Sequence, residues 1–190
     1  MKKISTLSIL LFFSFTSIKL YAQQSKTTCE SCIVLNNIDK YLPLLKERVE
    51  NIMTQDDYDD TCLLLLIDKL EMLFIKTGKL DYLIAYNNIA CQSDGAISEE
   101  FENTKMFYGN FKPYINYLYQ NGVKNTCLQG FLERGLMFEV YYMPDSVNVK
   151  AENKIFRFID NQERKYNFPK AEKSFLDTIM KGACEYGKIN

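Results

Sequence analysis

Residues 61–91 read TCLLLLIDKLEMLFIKTGKLDYLIAYNNIAC, and this stretch decides the fold class. The apolar run from Cys62 to Ile75 is far longer than an ordinary strand of about 5–6 residues, and it stops at Thr77-Gly78. A second apolar run occupies 81–91, only about three residues further on. Two helices joined by so short a turn must fold back on each other as an antiparallel hairpin. Gly78 suits the left-handed position that closes the first helix. Asp59, Asp60 and Thr61 each suit its N-terminal cap.

Outward from this hairpin the apolar period stays helical rather than alternating. Upstream, Leu44, Leu45, Val49, Ile52 and Met53 recur behind Pro43, a residue favoured where a helix begins. Downstream, Ser98 with Glu99 and Glu100 predicts a helix start, because carboxylates favour the positive helix end. Asn110-Phe111-Lys112-Pro113 opens a further helix, and Asn121-Gly122 stops it. Helices are then expected at about 125–142 and 147–166, separated by Pro144-Asp145-Ser146. In the second of these, Val147, Ala151, Ile155, Phe158, Ile159 and Tyr166 share one face. Pro169 begins the last helix, whose apolar stripe is Phe175, Leu176, Ile179, Met180 and Ala183. The sum is an all-α domain of about eight helices packed as antiparallel hairpins, either a bundle or a short superhelix. The phrases NFKPYINYL and NFPKAEKSFL look alike. They do not recur at a fixed period, which a repeat array would need.

The first residues predict export. Lys2 and Lys3 precede an uncharged run from Ile4 to Ile18, which is shorter than the roughly 20 apolar residues of a membrane span. That is the layout of a signal peptide over residues 1–22, with cleavage near Ala22, and of a single domain over 23–190. Cleavage removes Lys2, Lys3 and Lys19, so the 23 basic residues fall to 20 against 24 acids, a net charge of −4. Such a chain lacks the basic face of a nucleic-acid binder. It is expected in a periplasm or secreted, with no stable membrane span once the signal is cut.

All six cysteines follow the signal, at Cys29, Cys32, Cys62, Cys91, Cys127 and Cys184, and an even count in an exported chain favours disulfides. Cys62 opens the first hairpin helix and Cys91 closes its partner, so a Cys62–Cys91 bond is expected. Cys29 and Cys32 have the spacing of a redox pair, yet no strand or βαβ unit precedes them. Structural bonding to Cys127 and Cys184 is the preferred reading of that pair. A zinc site would need a second such pair, and none occurs.

Histidine is absent from the chain. This excludes Ser-His-Asp and Cys-His machinery and the H-E-x-x-H zinc peptidases. GACEYGKI at 182–189 matches the glycines and lysine of a P-loop, but Ile189 stands where Ser or Thr would hold magnesium. Asp56, Asp57, Asp59 and Asp60 lack the loop glycine and distant glutamate of an EF-hand and read as a solvated helix start. Glu99, Glu100, Glu102 and Glu133 supply carboxylates of the kind glycosidases use, but such acids occur in almost any soluble domain. No metal or cofactor is expected.

One segment asks for more than packing. FYGNFKPYINYLYQ carries six aromatics in 13 residues: Phe107, Tyr108, Phe111, Tyr114, Tyr117 and Tyr119. Aromatic stripes at helical spacing are usually core, but these rings point in too many directions for one packed face, so some tyrosine surface is expected to be accessible. Tyrosine is common at interface hot spots, and Phe138, Tyr141 and Tyr142 extend the candidate patch. The functional expectation is an exported, non-catalytic binding protein, of inhibitor or immunity type, acting on another envelope or secreted protein. The alternative is a periplasmic thiol-disulfide oxidoreductase with Cys29 as nucleophile and Cys32 as resolver. Stacked tyrosines that bind glycan are a weaker third.

Overall fold

A computed structural model of the chain describes residues 30–47, 49, 60–141 and 145–189. The expected signal peptide, Cys29 and the acidic cluster ahead of Asp60 lie outside the described residues. Within them the fold is all-α, a bundle of ten helices stabilised by two disulfide bridges. The helices are α1 (Glu30–Asn36), α2 (Ile38–Glu47), α3 (Asp60–Thr77), α4 (Leu80–Gln92) and α5 (Gly95–Glu99), then α6 (Lys105–Gly109), α7 (Phe111–Asn125), α8 (Leu128–Tyr141), α9 (Asp145–Tyr166) and α10 (Lys170–Ile189). None of the described helices is long and apolar enough to cross a membrane.

The hairpin that the sequence predicts is α3 and α4. Gly78 closes α3 at φ 66°, a conformation that costs a glycine little, and its N–H donates to the Phe74 carbonyl at 2.8 Å. Asn110 donates from Nδ2 to the same carbonyl at 3.1 Å and fixes the start of α7 against the end of α3. Helix α2 lies on α4. There Asn88 Nδ2 donates to the Leu45 carbonyl at 3.0 Å and to the Lys46 carbonyl at 2.8 Å. These bonds satisfy orphan groups of the α2 C-terminus. Helix α1 packs on α3, and α8 is flanked by α9 and α10. Helix α7 touches α4, α6, α8, α9 and α10 and occupies the middle. One apolar cluster runs through both halves, from Val34 to Ala183.

Three local expectations change. Helix α2 begins at Ile38, which leaves Pro43 inside it rather than at its start. The Asn37 carbonyl accepts from the Lys40 and Tyr41 amides, so the α1–α2 break sets the helix going before the proline arrives. Ser98 opens no helix. It lies in α5 with its hydroxyl donating to the Gly95 carbonyl at 2.7 Å. Such a local bond competes with helix propagation. The stop at Asn121-Gly122 appears as a kink inside α7, where Gly122 has φ 64° and ψ 177°.

Gly135 on α8 has a packing reason of its own. A Cβ there would stand 3.1 Å from the Glu102 carbonyl oxygen. A larger residue would push the backbone of 102–103 away from α8 by a few tenths of an ångström, and the glycine avoids that shift.

Candidate functional site

Helix α7 shows first why the aromatic segment is not the surface its composition suggests. At 100° per residue, the positions of Tyr117, Tyr114, Leu118, Phe111 and Ile115 span an arc of about 160°. Neighbours cover all of it, since Phe111, Tyr114, Tyr117, Leu118 and Ile115 are each buried. Phe107 is buried as well, with ring centroids 5.1, 5.2 and 5.5 Å from Phe111, Tyr108 and Phe158. Phe111, Tyr114 and Tyr117 therefore move from the candidate binding surface to the core. Tyr108 is half-buried and Tyr119 is exposed, its ring 5.6 Å from that of Phe175. Phe138 is exposed on α8. The side chains of Tyr141 and Tyr142 lie outside the described residues.

The cysteines also rearrange. Cys32 bonds Cys62 with Cα atoms 5.1 Å apart, and Cys91 bonds Cys127 at 5.4 Å. The expected Cys62–Cys91 bond is replaced, and Cys127 is engaged by Cys91 rather than by the 29–32 pair. The α3–α4 turn does bring Cys62 and Cys91 to one end of the hairpin, but a disulfide also needs converging Cβ vectors. Cys62 faces α1 and Cys91 faces the start of α8, so each bonds across to a different helix. Cys32, engaged with Cys62, does not close a bond within the 29–32 pair. Cys184 is half-buried on α10. Beside the second bond, Asn87 is buried on α4, its Oδ1 accepting from the Thr126 hydroxyl at 2.7 Å and the Cys127 amide at 3.1 Å. Thr126 in turn accepts from the Leu128 amide at 3.2 Å, which satisfies one orphan N–H at the start of α8.

A polar seam, which sequence reasoning missed, runs along residues 102–108 from the exposed Lys105 to the buried Glu71. Lys105 places Nζ 3.0 Å from Glu71 Oε2 and 3.4 Å from Asp68 Oδ1 on α3. Glu139 on α8 accepts from the Thr104 hydroxyl and, at 2.8 Å, from the Tyr108 hydroxyl. Arg134 pairs with Glu102. Glu71 is buried, and its Oε1 has no hydrogen-bond partner among the described residues. Burial pushes its carboxyl up from 4.5, and Lys105 offsets only part of that. Burial and the Glu71 charge push the Tyr86 and Tyr114 phenols up too. Apart from Glu71 Oε1, these acids, bases and hydroxyls are paired with one another, and the pairs clamp the 102–108 segment between α3 and α8. Among the described residues no group of three or more acids and cysteines is placed to hold a metal ion.

The seam has a pH signature. Folded Glu71 takes up its proton at a higher pH than unfolded Glu71, so this site gains stability as pH falls through the folded value, and the gain is complete below about 4.5. Glu71→Gln removes that component. The difference in unfolding free energy between the variant and the native chain is expected to favour the variant most near neutral pH and to decline towards pH 4.5. Parallel denaturation series across that range check this, and a pH-independent difference would contradict the buried-charge account.

A groove of about 530 Å³ lies where the α1–α2 break meets α3. Asn36 and Asn37 make the break, each bonding its Nδ2 back to the carbonyl four residues earlier, Cys32 and Ile33, at 2.9 and 3.0 Å. The Cys32–Cys62 bond anchors α1 to α3 and so holds one wall of the groove against the other. Leu35, Ile38 and Leu73 form its apolar lining, and Lys40 and Lys69 its basic one. Asp39, the acid that lines it, accepts from the Tyr82 hydroxyl on α4 at 3.0 Å. Next to Lys69 and Leu73, the outer strip of α3 leaves Leu65 49% and Met72 55% exposed. Sequence reasoning missed this strip because Leu65 and Met72 belong to a run that is apolar on nearly every face.

No family model matches the chain, nor does any curated protein or solved structure with which it was compared.

Proposed function

We propose that the chain is an exported, non-catalytic binding protein that acts on another exported or envelope protein, in the manner of an inhibitor or immunity protein. The observation that carries this is the exposed apolar strip of α3 beside the groove, on a helix that already buries Leu63, Leu66, Leu70 and Phe74 on its other side. A surface helix normally turns a polar face outward, and a large side chain left in water on a rigid, disulfide-anchored helix is suited to contact another protein. Two disulfides suit an oxidising compartment, in agreement with the signal-like start. The ionisable groups of the seam are engaged with each other, which favours a structural role for them. Cys32 is held by Cys62, which tells against its acting as the resolver of Cys29.

The test is a retention experiment on the exported and envelope fraction, with the folded, oxidised chain as bait and the reduced, alkylated chain as control. The folded bait is expected to retain a defined protein in fixed stoichiometry that rebinds when both are purified. Equal recovery on the two baits would remove the proposal.

A further inference from the structure

Helix α3 presents Leu65, Lys69, Met72 and Lys76 at i, i+4, i+7 and i+11. At 100° per residue these four positions lie within about 60° of arc, as one strip of about three turns. Apolar and basic side chains alternate along it, and the basic ones are unopposed. The acids of α3 that follow Leu65, Asp68 and Glu71, are both taken by Lys105, whereas Lys69 and Lys76 enter no ion pair among the described residues. Lys40 stands across the groove from Lys69 and likewise enters no ion pair there. Asp39 also lines the groove, so the local balance is four lysines (Lys40, Lys69, Lys76 and Lys105) against three acids (Asp39, Asp68 and Glu71), a small positive excess on a chain whose formal net charge is −1.

From this we infer that the strip and the adjoining groove dock an acidic amphipathic helix of a partner protein, whose apolar residues meet Leu65, Met72 and Leu73 and whose carboxylates meet Lys69, Lys76 and Lys40. The inference rests on the binding-protein proposal and names its surface. Spacing and charge select this occupant. Residues seven apart are the spacing at which one helix packs along another, so Leu65 and Met72 match an apolar seam on a second helix. The lysines beside them reward acidic flanks and penalise basic ones, which is how interfaces exclude wrong partners. An anionic membrane is the weaker match, because polybasic recognition uses clusters of about 4–8 basic residues, and here the lysines are few and separated by apolar positions.

Two labelled 18-residue peptides, each locked helical by a side-chain lactam, test the inference against the full oxidised chain by fluorescence anisotropy. Both carry leucine at heptad a and d positions. One carries glutamate at e and g, the other lysine. The acidic peptide is expected to bind at least tenfold more tightly than the basic one, and to weaken as salt is raised. The Lys69→Glu/Lys76→Glu chain should lose at least tenfold for the acidic peptide and gain for the basic one, a swap that a misfolded variant would not produce. Lys170→Glu, on α10, should change neither. Comparable binding of the two peptides, absence of saturable binding, or an unchanged preference in the reversed variant would overturn the inference. Binding to phosphatidylglycerol vesicles in place of the acidic peptide would overturn it too. If the bait of the preceding experiment retains its partner equally well as Lys69→Glu/Lys76→Glu and as Met72→Glu, this surface falls while the binding function stands. If the bait retains nothing, the function itself falls.

Discussion

Replacing Phe107 by alanine is expected to lower the unfolding free energy by about 3–5 kcal/mol, the cost of emptying a large aromatic site in a packed core. Phe107 is 1% exposed, and the rings of Phe111, Tyr108 and Phe158 surround it with centroids no more than 5.5 Å away. Its removal loses both the transfer free energy of the ring and the edge-to-face contacts with Tyr108 and Phe111. The cavity would open between α6, α7 and α9, and Asn110, bonded to the Phe74 and Ile75 carbonyls of α3, holds the α6–α7 junction in place and limits collapse. Tyr119→Ala, at the other end of the same aromatic segment, is expected to cost less than about 1 kcal/mol. Tyr119 is 41% exposed and its main ring contact is the half-buried Phe175. Urea unfolding of both variants, with the slopes compared to confirm a common denatured state, checks the contrast. Similar costs for the two would mean that the segment is not divided into core and surface as the burial pattern indicates. For the same reason Tyr114→Ala and Tyr117→Ala would probe stability rather than partner capture.

The paired replacement Cys91→Ser/Cys127→Ser is expected to cost about 3.5–4 kcal/mol, and Cys32→Ser/Cys62→Ser nearly the same. In the loop-closure account the cost depends on the logarithm of the loop length, and the two bonds span similar separations, 36 and 30 residues. The loops do not overlap in sequence, so their effects should add to about 7–8 kcal/mol when all four cysteines are replaced. Domains of ordinary size have only about 5–15 kcal/mol in total, and the quadruple variant should therefore be close to unfolding. Denaturation midpoints of the three variants against the oxidised chain give the measurement. A sum far below the single costs would show that the loops are constrained by packing even without their bonds. The two single pairs also differ in consequence. Loss of Cys32–Cys62 frees α1 from α3 and should blunt the groove, whereas loss of Cys91–Cys127 loosens α8, which the Asn87–Thr126 network still holds.

Several elements were legible because they are local. Gly78 closes α3 in the conformation its composition suggests, and Leu176, Ile179, Met180 and Ala183 turn inward along α10 as their spacing predicts. The candidate site was not legible in the same way. Phe111, Tyr114 and Tyr117 read as a surface because one neighbour cannot hide so wide an arc, but α7 has five neighbouring helices. Leu65 and Met72 carried no signal of exposure, because their run is apolar on nearly every face, yet among the described residues both are left in water on the outer strip of α3. Glu71 gave no signal at all, since nothing in its sequence neighbourhood marks the lysine that meets it from 34 positions away.

By itself, then, the sequence determined the longer helices and their approximate ends, though not the short α1 and α6, and the chemistry that histidine's absence forbids. Helical period is set by contacts three and four residues apart, and residue inventory does not depend on folding. Only the tertiary structure decided which cysteines meet, which tyrosines are withdrawn from water and which face of α3 is left for a partner. A side chain's direction is fixed by its own helix, but whether another helix lies in that direction depends on packing between residues distant in the chain.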